Sequence, residues 1–265
     1  MNAPERILPD IQASLDIRQL AIQQVGIRDV RAPLAWRTAR GDVQHTVARY
    51  VMTVGLPADQ KGTHMSRFIE MLEAPREALD STAATVLLME MLDRLDADSG
   101  KIEARFPYFI RKAAPVSGVE SLLDYDVTLK VAKQAGRPAE THLIVSAPVT
   151  SLCPCSKEIS AYGAHNQRSI ITIGAQLRSP IAIEELVRIA ETEASCEVFG
   201  LLKRPDEKWV TERAYDHPKF VEDLVRDIAL RLMQDKRIGR WQVISENFES
   251  IHNHSAYAEL CGQNG

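Results

Sequence analysis

Apolar and polar positions alternate twice near the start of the chain. "QLAIQQVGIRDVRAPL" (19–34) and "VQHTVARYVMTVGL" (43–56) alternate in this way and include several β-branched residues. They predict two strands of a hairpin, turned at "TARGD" (38–42). The period then lengthens. "KGTHMSRFIEMLEA" (61–74) predicts a short helix capped by Thr63. In "EALDSTAATVLLMEMLDRLDA" (77–97), Ala84, Leu87, Leu88, Met91, Leu92 and Leu95 fall on one helical face. Strands return at 101–113 and 122–134, ending near the Gly-Arg-Pro turn at 136–138.

The second half repeats this order. Strands are predicted at 140–150 and 167–178. A helix follows at 183–195, with Ile183, Leu186, Val187 and Ala190 inward. Another spans 217–235, with Pro218 in its first turn and Val221, Leu224, Val225 and Ile228 inward. Strands at 239–250 and 250–260 close the chain. Each half therefore reads strand, strand, helix, helix, strand, strand. Two helices on one face of an antiparallel sheet make an α+β layer architecture. The expected organisation is an irregular leader over 1–16 and units over 17–134 and 135–265. With no low-complexity linker between them, the two units are expected to pack as one body.

Bulk composition narrows the classes. With 45% apolar and 26% charged residues, the 265-residue chain is an ordinary globular protein. A net charge of -4 argues against nucleic acid or a membrane surface as partner, so any anionic ligand must meet locally gathered cations. "AATVLLMEML" is too short to span a bilayer, and "MNAPERILPDIQ" lacks the apolar centre of a signal peptide. Four unevenly spaced cysteines form no disulfide framework, which points to the reducing cytoplasm.

Two of those cysteines stand one proline apart in "SAPVTSLCPCSKEISAYGAHNQRS" (146–169). Proline favours extended chain before it, and residues two apart in extended chain share a side, so Cys153 and Cys155 are expected to face one pocket. A disulfide between them would be strained. A metal site with an open position, a reactive thiolate near Lys157 and Arg168, and buried apolar fillers all remain open. His165 ends a Gly-containing loop that can fold back toward the cysteines. His252 and His254 share a face of the last predicted strand, which suits metal, protons or phosphate, or a plain solvated edge. Asp206 and Glu207 are read as loop carboxylates after Pro205. Glu222 either pairs with Arg226 at i,i+4 or aims at a ligand. His64 and Arg67 sit near a helix start suited to phosphate.

Together, "APVTSLCPCSKEISAYGAHNQRS", "RPDEKWVTERAY", "HPKFVEDLVRD", "ENFESIHNHSA" and "KGTHMSRF" closely resemble the type IB GTP cyclohydrolase I enzymes. The resemblance covers nearly all the chain beyond the leader. It implies the tunnelling fold: two tandem units, each a four-stranded antiparallel sheet with two helices on one face. It also implies homotetramers with active sites at subunit interfaces. The implied reaction is hydrolysis and rearrangement of GTP to 7,8-dihydroneopterin 3'-triphosphate and formate, opening tetrahydrofolate biosynthesis. A divalent metal (manganese, zinc or iron) is implied, and no organic cofactor. By the same resemblance, Cys153, His165 and Glu207 hold the metal and Cys155 is the catalytic thiol near carbon 8. His252 and His254 move protons, and Glu222 reads the guanine edge. His64, Arg67, Lys157 and Arg168 meet the triphosphate. Two rivals stand beside this reading: a tunnelling-fold nitrile reductase of queuosine synthesis, and a non-enzymatic metal- or redox-responsive binding protein.

Overall fold

A computed structural model describes residue 12 and residues 14–265. Most of the expected leader lies outside the described residues. The first hairpin forms as the alternation predicts, from β1 (Ile22–Arg37) and β2 (Val43–Leu56). Helix α1 (Met65–Glu73) follows, and its N-cap is His64 rather than Thr63, which is buried. Helix α2 (Ser81–Arg94) is capped by Asp80, whose carboxylate accepts from Thr82 N and Ala83 N at 2.8 Å. The six apolar residues predicted for its inner face are all buried.

Strands β3 (Gly100–Ala113), β4 (Glu120–Lys133), β5 (Glu140–Leu152) and β6 (Asn166–Leu177) then run antiparallel in sequence order. Between β5 and β6 lies α3 (Pro154–Ile159), a short helix where extended chain was expected. Next come α4 (Ile183–Glu193), the two-residue β7 (Cys196–Glu197), α5 (Arg204–Asp216) and α6 (Val221–Gln234). Strands β8 (Ile238–Phe248) and β9 (Ser255–Gln263) close the chain.

Three local expectations fail here. The segment holding Asp206 and Glu207 is helix, not loop. Pro218 lies ahead of α6, which begins only at Val221. His252 and His254 sit in the turn before β9 rather than on a strand.

The sheet does not break between the predicted units. Among the described residues its order is β1-β2-β3-β4-β5-β6-β8-β9, with β7 paired to β5, nine strands in all. The two predicted units, each expected to hold a four-stranded sheet, thus share one continuous sheet, with β1–β4 from the first and β5–β9 from the second. Strands β4 and β5 pair from Asp126–Ser146 to Ala132–Glu140. Beyond Ser146, β5 leaves β4 and pairs with β7 at Val149 and Thr150. Alternate residues of the strands, such as Val127, Leu129 and Val131 on β4, join the apolar faces of α2, α4 and α6 in one buried cluster. No described helix is long and apolar enough to cross a membrane.

Polar groups also tie the two halves together. Lys112 of β3 donates to Glu191 of α4 at 2.7 Å, lies 2.5 Å from Glu197, and reaches the Val198 carbonyl at 3.0 Å. Tyr125 donates to the same Glu191 carboxylate at 2.6 Å. Burial pushes the Glu191 carboxyl up, against the pull of Lys112. Removing one partner of a buried pair leaves the other charge uncompensated. Lys112→Met is therefore expected to lower the unfolding free energy by about 3–5 kcal/mol, read from denaturant titration. Unchanged stability would show that the cluster contributes nothing net.

Asp206 makes a second tie. It is fully buried. Its carboxylate accepts from Val116 N, Ser117 N and Lys203 N, each at 2.8 Å, and from Ser117 Oγ at 2.6 Å. Burial opposes ionisation, but these bonds outweigh it and hold the carboxyl below the usual aspartate range.

Candidate active site

Cys153 is where β5 gives way to α3. It is the N-cap residue, and Pro154 takes the first helical position, where a missing N–H costs nothing. The Cys153 Sγ accepts from Ser156 N at 3.5 Å. Cys155 is the next helical residue but one; it is exposed and outside the cavity described below. In a helix, residues two apart do not share a face. The two thiols therefore do not face one pocket as the extended reading expected.

The loop after α3 folds back, as expected. Gly163 turns it with φ of 110°, a region that suits glycine. Cys153 N donates to the His165 carbonyl at 3.2 Å, and His165 N donates to Ser156 Oγ at 3.2 Å. The His165 ring lies against Gln167 and Ser250, with Nδ1 at 3.1 Å from Gln167 Oε1 and 3.2 Å from Ser250 Oγ. Gln167 donates its amide nitrogen to Glu249 at 3.4 Å, so its oxygen faces the imidazole. Nδ1 is engaged by Gln167 and Ser250, which leaves Nε2 free of them.

Two further segments close on this corner. Lys219 N donates to the Leu152 carbonyl at 3.2 Å, which brings the start of α6 beside Cys153. Glu222 lies in the first turn of α6, where the helix dipole favours an anion. Of the two alternatives for Glu222, the pair with Arg226 does not form: Arg226 bonds Asp223 at 3.0 Å instead. The β8–β9 turn contributes Glu249, His252 and His254, and the two histidine rings stack with centroids 5.1 Å apart. The result is a cavity of about 310 Å³ whose walls include Cys153, His165, Glu222, Glu249, His252 and His254.

A thiol, imidazoles and carboxylates around one cavity are a donor set that suits a borderline divalent metal. Among the described residues, no three of these side chains stand close enough together to grip an ion.

The remaining predicted residues lie elsewhere. Glu207 is exposed in the first turn of α5. Lys157 donates to the Tyr215 carbonyl at 2.6 Å and lies over that tyrosine's ring. Arg168 lines a separate cavity with Asp124 and Asp126. His64 caps α1, and Arg67 donates to the Arg94 carbonyl at 2.7 Å, both in the first half. Sequence reasoning missed Glu249, Gln167 and Lys219. Glu249 could have been found, because it lies inside "ENFESIHNHSA" three residues before His252.

The sequence profile described as "Type I GTP cyclohydrolase folE2" matches residues 8–258. The chain belongs to this FolE2 family of type I GTP cyclohydrolases. It is 68% identical to "GTP cyclohydrolase FolE2 1" of Dechloromonas aromatica (strain RCB), over 100% of both chains. It is 59% identical to "GTP cyclohydrolase FolE2" of Paraburkholderia xenovorans (strain LB400), over 97% of this chain and 96% of that one. Among solved structures, uricase from Arthrobacter globiformis superposes with a TM-score of 0.53 at 9% identity. That match covers 91% of the FolE2-family chain and 93% of the uricase. Urate oxidase from Bacillus subtilis 168 gives 0.53 at 10% identity, covering 91% and 98%. At such identities the likeness concerns the antiparallel α+β fold alone.

Proposed function

We propose that this chain is a GTP cyclohydrolase I that converts GTP and water to 7,8-dihydroneopterin 3'-triphosphate and formate. One observation carries the reading. A single cavity gathers Cys153, His165, Glu222, His252 and His254, five residues whose types suit each demand of that reaction. Family membership supports it and favours neither the reductase nor the sensor.

Glu222 accepts from the N1–H and the exocyclic amine of guanine, a two-donor edge that adenine lacks. His252 and His254 move protons as the imidazole ring opens, formate leaves and the sugar rearranges. Cys153 and His165 are proposed as metal ligands, His165 through its free Nε2. Glu207 of α5 is the proposed third ligand, and Glu249, already in the cavity wall, is its competitor. A divalent metal held there supplies the Lewis acidity that makes water nucleophilic near neutral pH. Cys155 is proposed as the thiol that meets carbon 8.

The cavity is at the small end of the range for ligand sites, so a purine fits while a triphosphate must extend beyond it. Its one lysine, Lys219, is already paired with Asp227 at 2.6 Å and Glu193 at 3.3 Å. His64, Arg67, Lys157 and Arg168 reach the phosphates only if another copy of the chain supplies some of them. We propose that the sites lie between subunits of a homotetramer, built from tandem tunnelling-fold units over 17–134 and 135–265 and working in the cytoplasm.

The test uses metal-stripped protein with GTP, with and without manganese, zinc or iron. Formate and a fluorescent oxidised pterin are expected to form together and only with metal. Absence of both, with every metal and in the assembled oligomer, would overturn the assignment.

A further inference from the structure

A second cavity, of about 470 Å³, lies at the other end of the sheet. The strand register places it. The active-site corner is where Leu152 pairs with Asn166, at the end of β5. The second cavity is bounded by Thr53, which pairs with Lys101, and by Ala132, which pairs with Glu140 at the start of β5. It belongs to the first half of the chain and shares no wall residue with the active-site cavity.

Its walls carry Lys101, Lys130 and Lys133, all half-buried, and among the described residues no carboxylate lines it. Local compensation is incomplete. Glu103 lies 3.6 Å from Lys101, but its closer partner is Arg105 at 2.6 Å. Burial works to raise the Glu103 carboxyl, and these cations together hold it below its ordinary value. Lys133 donates at 3.1 Å to the Asp98 carbonyl, which carries no net charge.

Thr53 also lines the cavity and is 6% exposed. Its Oγ1 is sealed from solvent and has no hydrogen-bond partner among the described residues, so it belongs to the packing behind the wall. The irregular pairing of β1 between Ile22 and Val25 also turns Gln23 and Gln24 into this wall. Bulges re-aim side chains in this way.

We propose that this cavity binds a small anion of the diphosphate class. Three ammonium groups spread around it suit a multiply charged ligand. The site stands whether or not the catalytic reading does, because it shares no residue with that cavity.

Inorganic pyrophosphate, titrated calorimetrically into the full-length protein, is the test. Wild type and Glu222→Gln are expected to bind it equally, since Glu222 lines only the other cavity. Lys101→Gln/Lys130→Gln is expected to weaken binding by at least about tenfold. Thr53→Val, near-isosteric, is expected to raise Tm, because it removes the unpartnered hydroxyl, and to leave anion binding in place. Its GTP turnover should be unchanged. Adenosine diphosphate in a parallel titration separates a nucleotide-borne diphosphate from the free anion. Lysine-dependent binding of either supports the site. Binding of neither, or affinities that survive the lysine changes, overturns it.

Discussion

Glu222→Gln is expected to lower kcat/KM for GTP by roughly 10³-fold without changing metal content. In its proposed role the carboxylate offers two acceptors to the two donors of the guanine edge. The amide keeps one acceptor and turns an –NH₂ group toward the other donor, so one strong bond is lost and one repulsive contact appears. Bonds to a charged group are the more valuable kind, and each tenfold in rate corresponds to about 1.4 kcal/mol. The position itself should survive the change. Glu222 is anchored through the backbone, by Lys219 N on the Leu152 carbonyl and by the buried Val221 and Leu224. Inosine triphosphate, which lacks the exocyclic amine, provides the control. Wild type should strongly prefer GTP over it, and Glu222→Gln should narrow that preference. Activity within tenfold of wild type, with the preference intact, would remove Glu222 from guanine recognition.

The parts of this fold that were legible in the sequence are those whose burial repeats locally. Helices α2, α4 and α6 each bury the residues that their spacing marked, because one face of each meets the sheet. Helix α5 escaped detection for the opposite reason. Its buried residues are only Asp206 and Ala214, and Asp206 is held by backbone N–H groups of Val116 and Ser117, about ninety positions away. No periodicity in "RPDEKWVTERAY" reports that. Helix α3 buries nothing, and its proline, which in sequence signals extended chain before it, occupies the first helical position. The alternation in "SIHNHSA" looks like a strand, yet pairing with β8 begins only at Ser255. The joining of β4 to β5 is a matter of non-local register, which alternation within each strand does not carry. For the site, residue chemistry and the family resemblance together marked Cys153, His165, Glu222, His252 and His254. Gln167 and Lys219 belong to it only through contacts that the fold creates: Gln167 with the His165 ring, and Lys219 N with the end of β5.

The two cysteines are expected to fail differently. Cys153→Ala should lose bound metal, with affinity down by at least about a hundredfold, and yield no formate. Cys155→Ala should retain metal at wild-type stoichiometry and lose turnover alone. The geometry gives the reason for the first. Cys153 lines the cavity and is bonded through its own N–H to the carbonyl of His165, so thiol and imidazole are placed as a unit by the backbone. A truncated thiol leaves too few donors to hold a divalent ion against dialysis. Cys155 stands two residues on, on the exposed side of a six-residue helix. A thiol there meets substrate only if the substrate reaches past the cavity wall, which is also where the triphosphate must extend and where a second subunit is proposed to lie. Metal analysis after dialysis, paired with formate release, separates the two outcomes. Metal lost from Cys155→Ala and kept by Cys153→Ala would exchange the roles. Full turnover by Cys155→Ala would take that thiol out of the chemistry and leave carbon 8 to be approached from within the cavity alone.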